Sequence, residues 1–246
     1  DDDFTPDSSA IGWSEFGQPQ YNLNWKRASE VFPNHSLFGD GISPDDINQG
    51  GLGNCWILST ASAVAEKPER MQKVFLNTES TLNAKGIYAL QFYSLGVPHT
   101  IVIDDYLPLT SANNTMLAHA GDDKSLWGPI FEKAFAKYHG NYLQISGGWP
   151  TVGARTVAGG PGETYSHSNI SADDLWTMLK KHDGLDDILQ AGTPGSSDRN
   201  TNEYGLVNSH ADTVIGGREL SSGYRLVQLR NPWGAYIFNG DLSDKS

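Results

Sequence analysis

Apolar residues recur at three- and four-residue spacing over 126–138. Trp127, Ile130, Phe131, Ala134, Phe135 and Tyr138 share one face there and Gly140 follows, a pattern that predicts a helix with a glycine stop. A second helix is predicted where Cys55-Trp56-Ile57-Leu58-Ser59-Thr60-Ala61-Ser62-Ala63-Val64-Ala65 runs small and apolar on all sides. Such a helix is buried, and it ends before Pro68. Ser171, with Asp174 three residues on, is an acidic variant of the capping box and marks a third helix start. Strands are predicted over 87–93 and 99–103. Residues 1–24 are polar and read as an arm on the surface, while 183–204 is rich in Gly, Ser, Asp and Asn and reads as a long loop.

Near the C-terminus, 211–217 and 224–230 are strand-like and six residues apart. In a simple hairpin with Gly217 opposite Tyr224, His210 falls opposite Asn231 at the open end, within side-chain reach. A slip of one residue would turn one of the two side chains to the other face.

Composition narrows the class. Hydrophobic content of 38% suits a globular domain, and 246 residues suffice for one large core or two small ones. No apolar stretch approaches the roughly 20 residues that span a bilayer. A formal net charge of −12 disfavours nucleic-acid or anionic-membrane partners, which reward Lys and Arg. The single cysteine, Cys55, has no internal partner, so a disulfide-stapled fold is excluded and a reducing, cytoplasmic setting is expected.

That cysteine is the chemical centre of interest. It stands where the loop Gly50-Gly51-Leu52-Gly53-Asn54 turns into an apolar helix, and free N–H groups at a helix start favour a thiolate. A nearby histidine could take the proton and complete a thiolate–imidazolium pair. By position alone, Cys55 reads rather as a small buried hydrophobe. The other six histidines show no metal-ligand spacing, and Asp104-Asp105 at a strand end reads as a structural turn. Gly159-Gly160-Pro161-Gly162 lacks the Lys of a phosphate loop and reads as a flexible loop.

The flanking motifs settle the preference. Gln49-Gly50-Gly51-Leu52-Gly53-Asn54-Cys55-Trp56, Asn208-Ser209-His210-Ala211 and Arg230-Asn231-Pro232-Trp233-Gly234 resemble, in order, the cysteine, histidine and asparagine segments of the calpain family. Asn24-Trp25-Lys26-Arg27, Asp104-Asp105-Tyr106-Leu107-Pro108, Glu132-Lys133-Ala134-Phe135 and Ser146-Gly147-Gly148 extend the likeness from about Trp25 to the C-terminus. The resemblance implies an α+β, papain-like cysteine protease. Its helical lobe, 25–147, carries the nucleophile; its β-rich lobe, 148–246, carries His and Asn; and the cleft lies between them.

The resemblance also implies roles. Cys55 attacks the scissile carbonyl, His210 carries the proton, and Asn231 orients the imidazole. Gln49 and the Cys55 N–H hold the oxyanion, Trp233 shields the His–Asn bond, and backbone near Gly148 aligns an extended protein or peptide substrate. The rival expectation is a catalytically weak binding or regulatory module; acyl transfer by the same residues has no motif support.

Departures bear on both. Asn54 replaces the family's Asp and Ser209 its Gly, and the family's second lobe runs on past Ser246, so either the sequence is cut short there, with further domains outside it, or the second lobe is reduced. Calpain cores bind two calcium ions. Here Gly39, Gly41 and Asp46 match ligands of the first site, but the remaining acid falls on neutral Ser125, with Asp122 or Asp123 as a substitute. At the second site Asp244 matches, an expected acid falls on Ile237, and the other ligands lie beyond the sequence. No cofactor is therefore expected to be required, with calcium at one weak site.

Overall fold

The computed structural model describes residues 1–12, 23–77, 79–235 and, further on, Phe238, Gly240 and Ser243. The elements, in order, are α1 (Ser8–Ile11), β1 (Asn24–Arg27), α2 (Ala28–Val31), α3 (Cys55–Ala65), α4 (Pro68–Val74), β2 (Ile87–Ser94), β3 (Val97–Asp104), β4 (Tyr106–Leu109), α5 (Trp127–His139), α6 (Pro150–Ala158), α7 (Ala172–Gly184), β5 (Gln190–Gly192), β6 (Ala211–Glu219) and β7 (Arg225–Arg230). Three antiparallel sheets form: β1 with β4, β2 with β3, and β5-β6-β7. This is the expected α+β class.

The strongest sequence signals become elements with little displacement. α3 covers the predicted run from Cys55 to Ala65, and α5 runs 127–139 with Gly140 at φ 104, a conformation glycine adopts without strain. Ser171 caps α7, its Oγ accepting from Asp174 N at 3.1 Å. β2 and β3 extend beyond the predicted strands to a two-residue turn, where Leu95 and Gly96 both take positive φ.

Four features depart from the sequence reading. The polar arm is anchored: Phe4, Ala10 and Ile11 are buried in the core, and Phe4 packs on Tyr142 at 6.0 Å between ring centroids. Pro68 does not only end α3; it opens α4 as its first residue, where a missing N–H costs nothing. β5 lies inside the stretch read as loop, because three residues carry too little pattern to see.

The hairpin register also differs from the assumed one. Thr213 pairs with Arg230, and a bulge between Val214 and Gly216 then places Gly217 opposite Val227 rather than Tyr224. Carrying the near-end register on by one pair puts Asp212, not His210, opposite Asn231. His210 still reaches Asn231, across the diagonal.

The core explains how the site is held. α3 is buried from Trp56 through Ala65 and lies between β6 and α6. Its small residues allow that close approach: a Cβ on Gly153 of α6 would sit 2.6 Å from Thr60 Oγ1. Across the other face, Thr213 Oγ1 of β6 donates to Ser59 O at 2.8 Å. The Gln190 amide oxygen accepts from Ser59 Oγ at 2.8 Å and Thr60 Oγ1 at 3.0 Å, while its nitrogen donates to Pro150 O at 3.2 Å. Asp104 and Asp105 serve structure, Asp104 pairing with buried Lys133 and Asp105 with Arg27.

Several carboxyls titrate above their ordinary range, two of them deep in this core. Burial pushes Glu132 up to about 7 and Asp46 up to about 6. Each keeps its proton longer folded than unfolded. Their stabilising share is thus complete below the ordinary carboxyl range and is lost as pH rises through the folded values. The thermal midpoint should fall between about pH 5 and pH 7.5, by the equivalent of a few kcal/mol. Melting curves across that range check this; a midpoint that holds or rises would contradict it.

Candidate active site

The nucleophile loop is clamped before it reaches the helix. A side chain on Gly50 would overlap the Leu117 carbonyl, so only glycine permits that approach. Gly51 N donates to Met116 O at 2.8 Å, and Gly147 N donates to Gly53 O at 2.7 Å. Cys55 then occupies the first position of α3, half-buried.

Asn54 precedes it as N-cap, with a non-helical backbone and a fully buried side chain turned away toward α5. Its Nδ2 donates to Glu132 Oε1 at 2.7 Å, and Glu132 Oε2 accepts from Ala118 N at 2.9 Å. An aspartate at 54 would oppose a second buried carboxyl, whereas the amide donates to it.

Burial pushes the Cys55 thiol up. The backbone amides of Ala211 and Trp56 pull it back, and the charges of Asp198 and Asp212 raise it further. The helix start does not by itself make a thiolate here; a proton acceptor is needed.

His210 supplies one. It stands immediately before β6, 3% exposed, with its backbone fixed by Thr193: His210 N donates to Thr193 Oγ1 at 3.1 Å, and Thr193 N to His210 O at 2.9 Å. Its Nε2 lies 2.8 Å from Asn231 Oδ1. That oxygen also accepts the Trp233 backbone N–H at 2.9 Å, which fixes the amide's orientation. An oxygen can only accept, so Nε2 carries the hydrogen and a neutral ring leaves Nδ1 as the base. Nδ1 is buried and without a hydrogen-bond partner. The Trp233 ring covers the imidazole at 4.7 Å between centroids.

Gln49 joins the two halves. Its backbone N donates to Pro232 O at 2.8 Å, tying the nucleophile loop to the Asn231 turn. Its side-chain Nε2 donates to Leu52 O at 2.7 Å, and its buried Oε1 has no partner. One amide N–H is thereby used and one remains. Gly148 is exposed beside this loop, and a Cβ there would overlap the Trp56 indole, itself held by a 2.9 Å bond from Nε1 to Ile145 O.

Gly39, Gly41 and Asp46 come to a separate corner with Asp123. The Asp123 carboxylate fills the space a side chain on Gly39 would need, and it accepts from Asp40 N at 3.1 Å and Ser125 N at 2.9 Å. Asp46 Oδ2 already accepts from Ser43 N at 2.8 Å and Trp127 Nε1 at 2.7 Å. Calcium takes six to eight oxygens, and here the carboxylates that would supply most of them already accept protein donors. Among the described residues, no group of three or more His, Cys, Asp or Glu could hold a metal. Ile237 and Asp244, expected at a second calcium site, lie outside the described residues.

Sequence reading therefore brings Cys55, His210, Asn231, Gln49, Gly148 and Trp233 to one region. It missed Thr193, which had no motif, and Asp212, whose place two residues after His210 on a strand was a usable signal.

The chain is similar to known proteins along its whole length. A family model described as calpain family cysteine protease matches residues 1–246. The calpain-type cysteine protease DEK1 of Zea mays is 32% identical over 264 residues, covering 100% of this chain and 12% of that protein. The calpain-1 catalytic subunit of Sus scrofa is 30% identical over 256 residues, covering 100% of this chain and 36% of that protein. The chain thus spans about an eighth of the plant relative and just over a third of the animal one.

Gly148→Ala tests the packing that holds this region. Forcing a methyl onto the buried indole should cost about 1–3 kcal/mol. The thermal midpoint should drop by several degrees; an unchanged midpoint would show that Trp56 yields freely.

Proposed function

The chain belongs to the calpain family of cysteine proteases, and we propose that it is an intracellular endopeptidase that hydrolyses protein substrates with Cys55, His210 and Asn231. The observation that carries this reading is the ordered imidazole: Nε2 bonded to Asn231 Oδ1 at 2.8 Å under Trp233, with Nδ1 buried and free. A histidine so oriented can take one proton and hand it on.

In this reading a substrate lies extended along the exposed Gly147-Gly148 backbone. His210 Nδ1 takes the Cys55 proton as the sulfur attacks the scissile carbonyl, and Asn231 Oδ1 supports the imidazolium. The oxyanion is held by the Cys55 N–H and the remaining Gln49 amide hydrogen. The imidazolium then protonates the leaving amine, and water, activated by the same nitrogen, releases the acyl group.

The raised Cys55 thiol favours the second reading, a weakly active binding module. Reaction with a thiol-directed peptide inhibitor separates the two, because a paired cysteine reacts far faster than an ordinary thiol. Further domains, as the longer relatives have, would add to either. Among the described residues no helix is long and apolar enough to cross a membrane.

Cys55→Ala should abolish cleavage of an unfolded protein such as casein while leaving the fold intact. Gln49→Ala should lower kcat by about 10²–10³, and Asn231→Ala should be milder than Cys55→Ala, since nucleophile and base remain. Undiminished turnover by Cys55→Ala would assign the chemistry elsewhere. Calcium is given no step, because Asp46 and Asp123 are already engaged by protein donors. A chelator should leave the cleavage rate nearly unchanged, and saturable activation by low calcium would contradict that.

A further inference from the structure

His210 has an acidic neighbour that the mechanism above leaves unused. Asp212 lies two residues on and so faces the same side of β6. Its Oδ1 is 3.9 Å from His210 Nε2, and the residue is only 7% exposed.

Among the described residues, Asp212 pairs with no other cation. β5 places Ala191 opposite Asp212. On β7 the nearest cation is Arg230, which is committed to Asp45 Oδ1 at 3.0 Å and Ile47 O at 2.6 Å. The 193–209 loop brings Asp198, an anion, and α3 brings the Cys55 thiol. Asn231 and Trp233 are neutral. A buried carboxyl facing a single titratable base is coupled to that base.

We propose that Asp212 is a positioning residue for peptide-bond hydrolysis, its carboxylate holding the His210 imidazolium alongside Asn231. The role rests on the reading of Cys55 and His210 as nucleophile and base. Burial raises Asp212 to about 6 against the pull of His210. Its charge favours the imidazolium and opposes the Cys55 thiolate, so it defends the alkaline edge of the active pH range.

Alkylation of Cys55 by iodoacetamide reads this directly, because the chain has one cysteine and no substrate is required. The rate constant against pH should show a plateau near neutrality from the thiolate–imidazolium pair, then a second rise as the imidazolium loses its proton. Asp212→Asn should shift that second rise about one unit to lower pH. Asp212→Glu, which keeps the charge, should follow the unaltered chain. Should Asp212→Asn fail to fold, Asp212→Ser gives the same comparison. Coincident profiles for Asp212→Asn and the unaltered chain, with His210→Ala still abolishing the plateau, would overturn the role of Asp212 alone. A single rise near the ordinary thiol value of about 8.5, indifferent to His210→Ala, would sink the nucleophile pair and this role with it.

Discussion

Everything in the site depends on α3 lying close against β6. Cys55 begins the helix and His210 immediately precedes the strand, so the distance between two backbones decides whether the proposed chemistry is possible. Ser59, Thr60, Ala61, Ser62 and Ala63 make that approach possible, because larger side chains would hold helix and strand apart. Small residues bury little apolar area each, and the seam compensates with hydrogen bonds. Thr213 reaches the Ser59 carbonyl, and the Gln190 amide bridges the Ser59 and Thr60 hydroxyls to Pro150. In a buried seam each of those polar groups would be costly if left unpaired.

The electrostatics follow from the same closeness. Packing that excludes water raises the Cys55 thiol, so the helix start cannot ionise it unaided. The surroundings of His210 answer that deficit by preparing the imidazole instead. Asn231 fixes the tautomer, Thr193 fixes the backbone, and Trp233 covers the ring. Gln49 then couples the two preparations, since its backbone holds the Asn231 turn while its side chain holds the nucleophile loop.

Much of this was legible in the sequence, and the illegible part has definite causes. α3, α5 and the start of α7 were readable because period, burial and capping chemistry all agreed there. Cys55, His210, Asn231 and Gln49 were candidates in the sequence because the proposed chemistry demands particular residues beside particular glycines. The hairpin register was not: a bulge at Val214/Gly216 moves the far pairs without leaving a mark in the hydrophobic pattern. His210 and Asn231 meet despite that error, since long side chains reach diagonal partners as well as direct ones. The buried N-terminal segment was missed because its apolar residues, Phe4 and Ile11, are diluted among polar neighbours.

The two departures from the family's motifs have different physical consequences. Asn54 is accommodated by the bond its amide nitrogen donates to Glu132, although its buried Oδ1 finds no partner. Ser209 is not so easily placed. It holds φ at 49°, in the left-handed region that glycine enters freely and other residues enter at a cost of about 1–2 kcal/mol. Its side chain is exposed, so no packing contact rewards that conformation. The backbone holds it there from both sides: Ser209 N donates to Pro194 O at 3.1 Å, and Thr193 locks the adjacent His210. The strain is thus imposed by the same bonds that aim the imidazole, one residue before the group whose orientation the reaction requires.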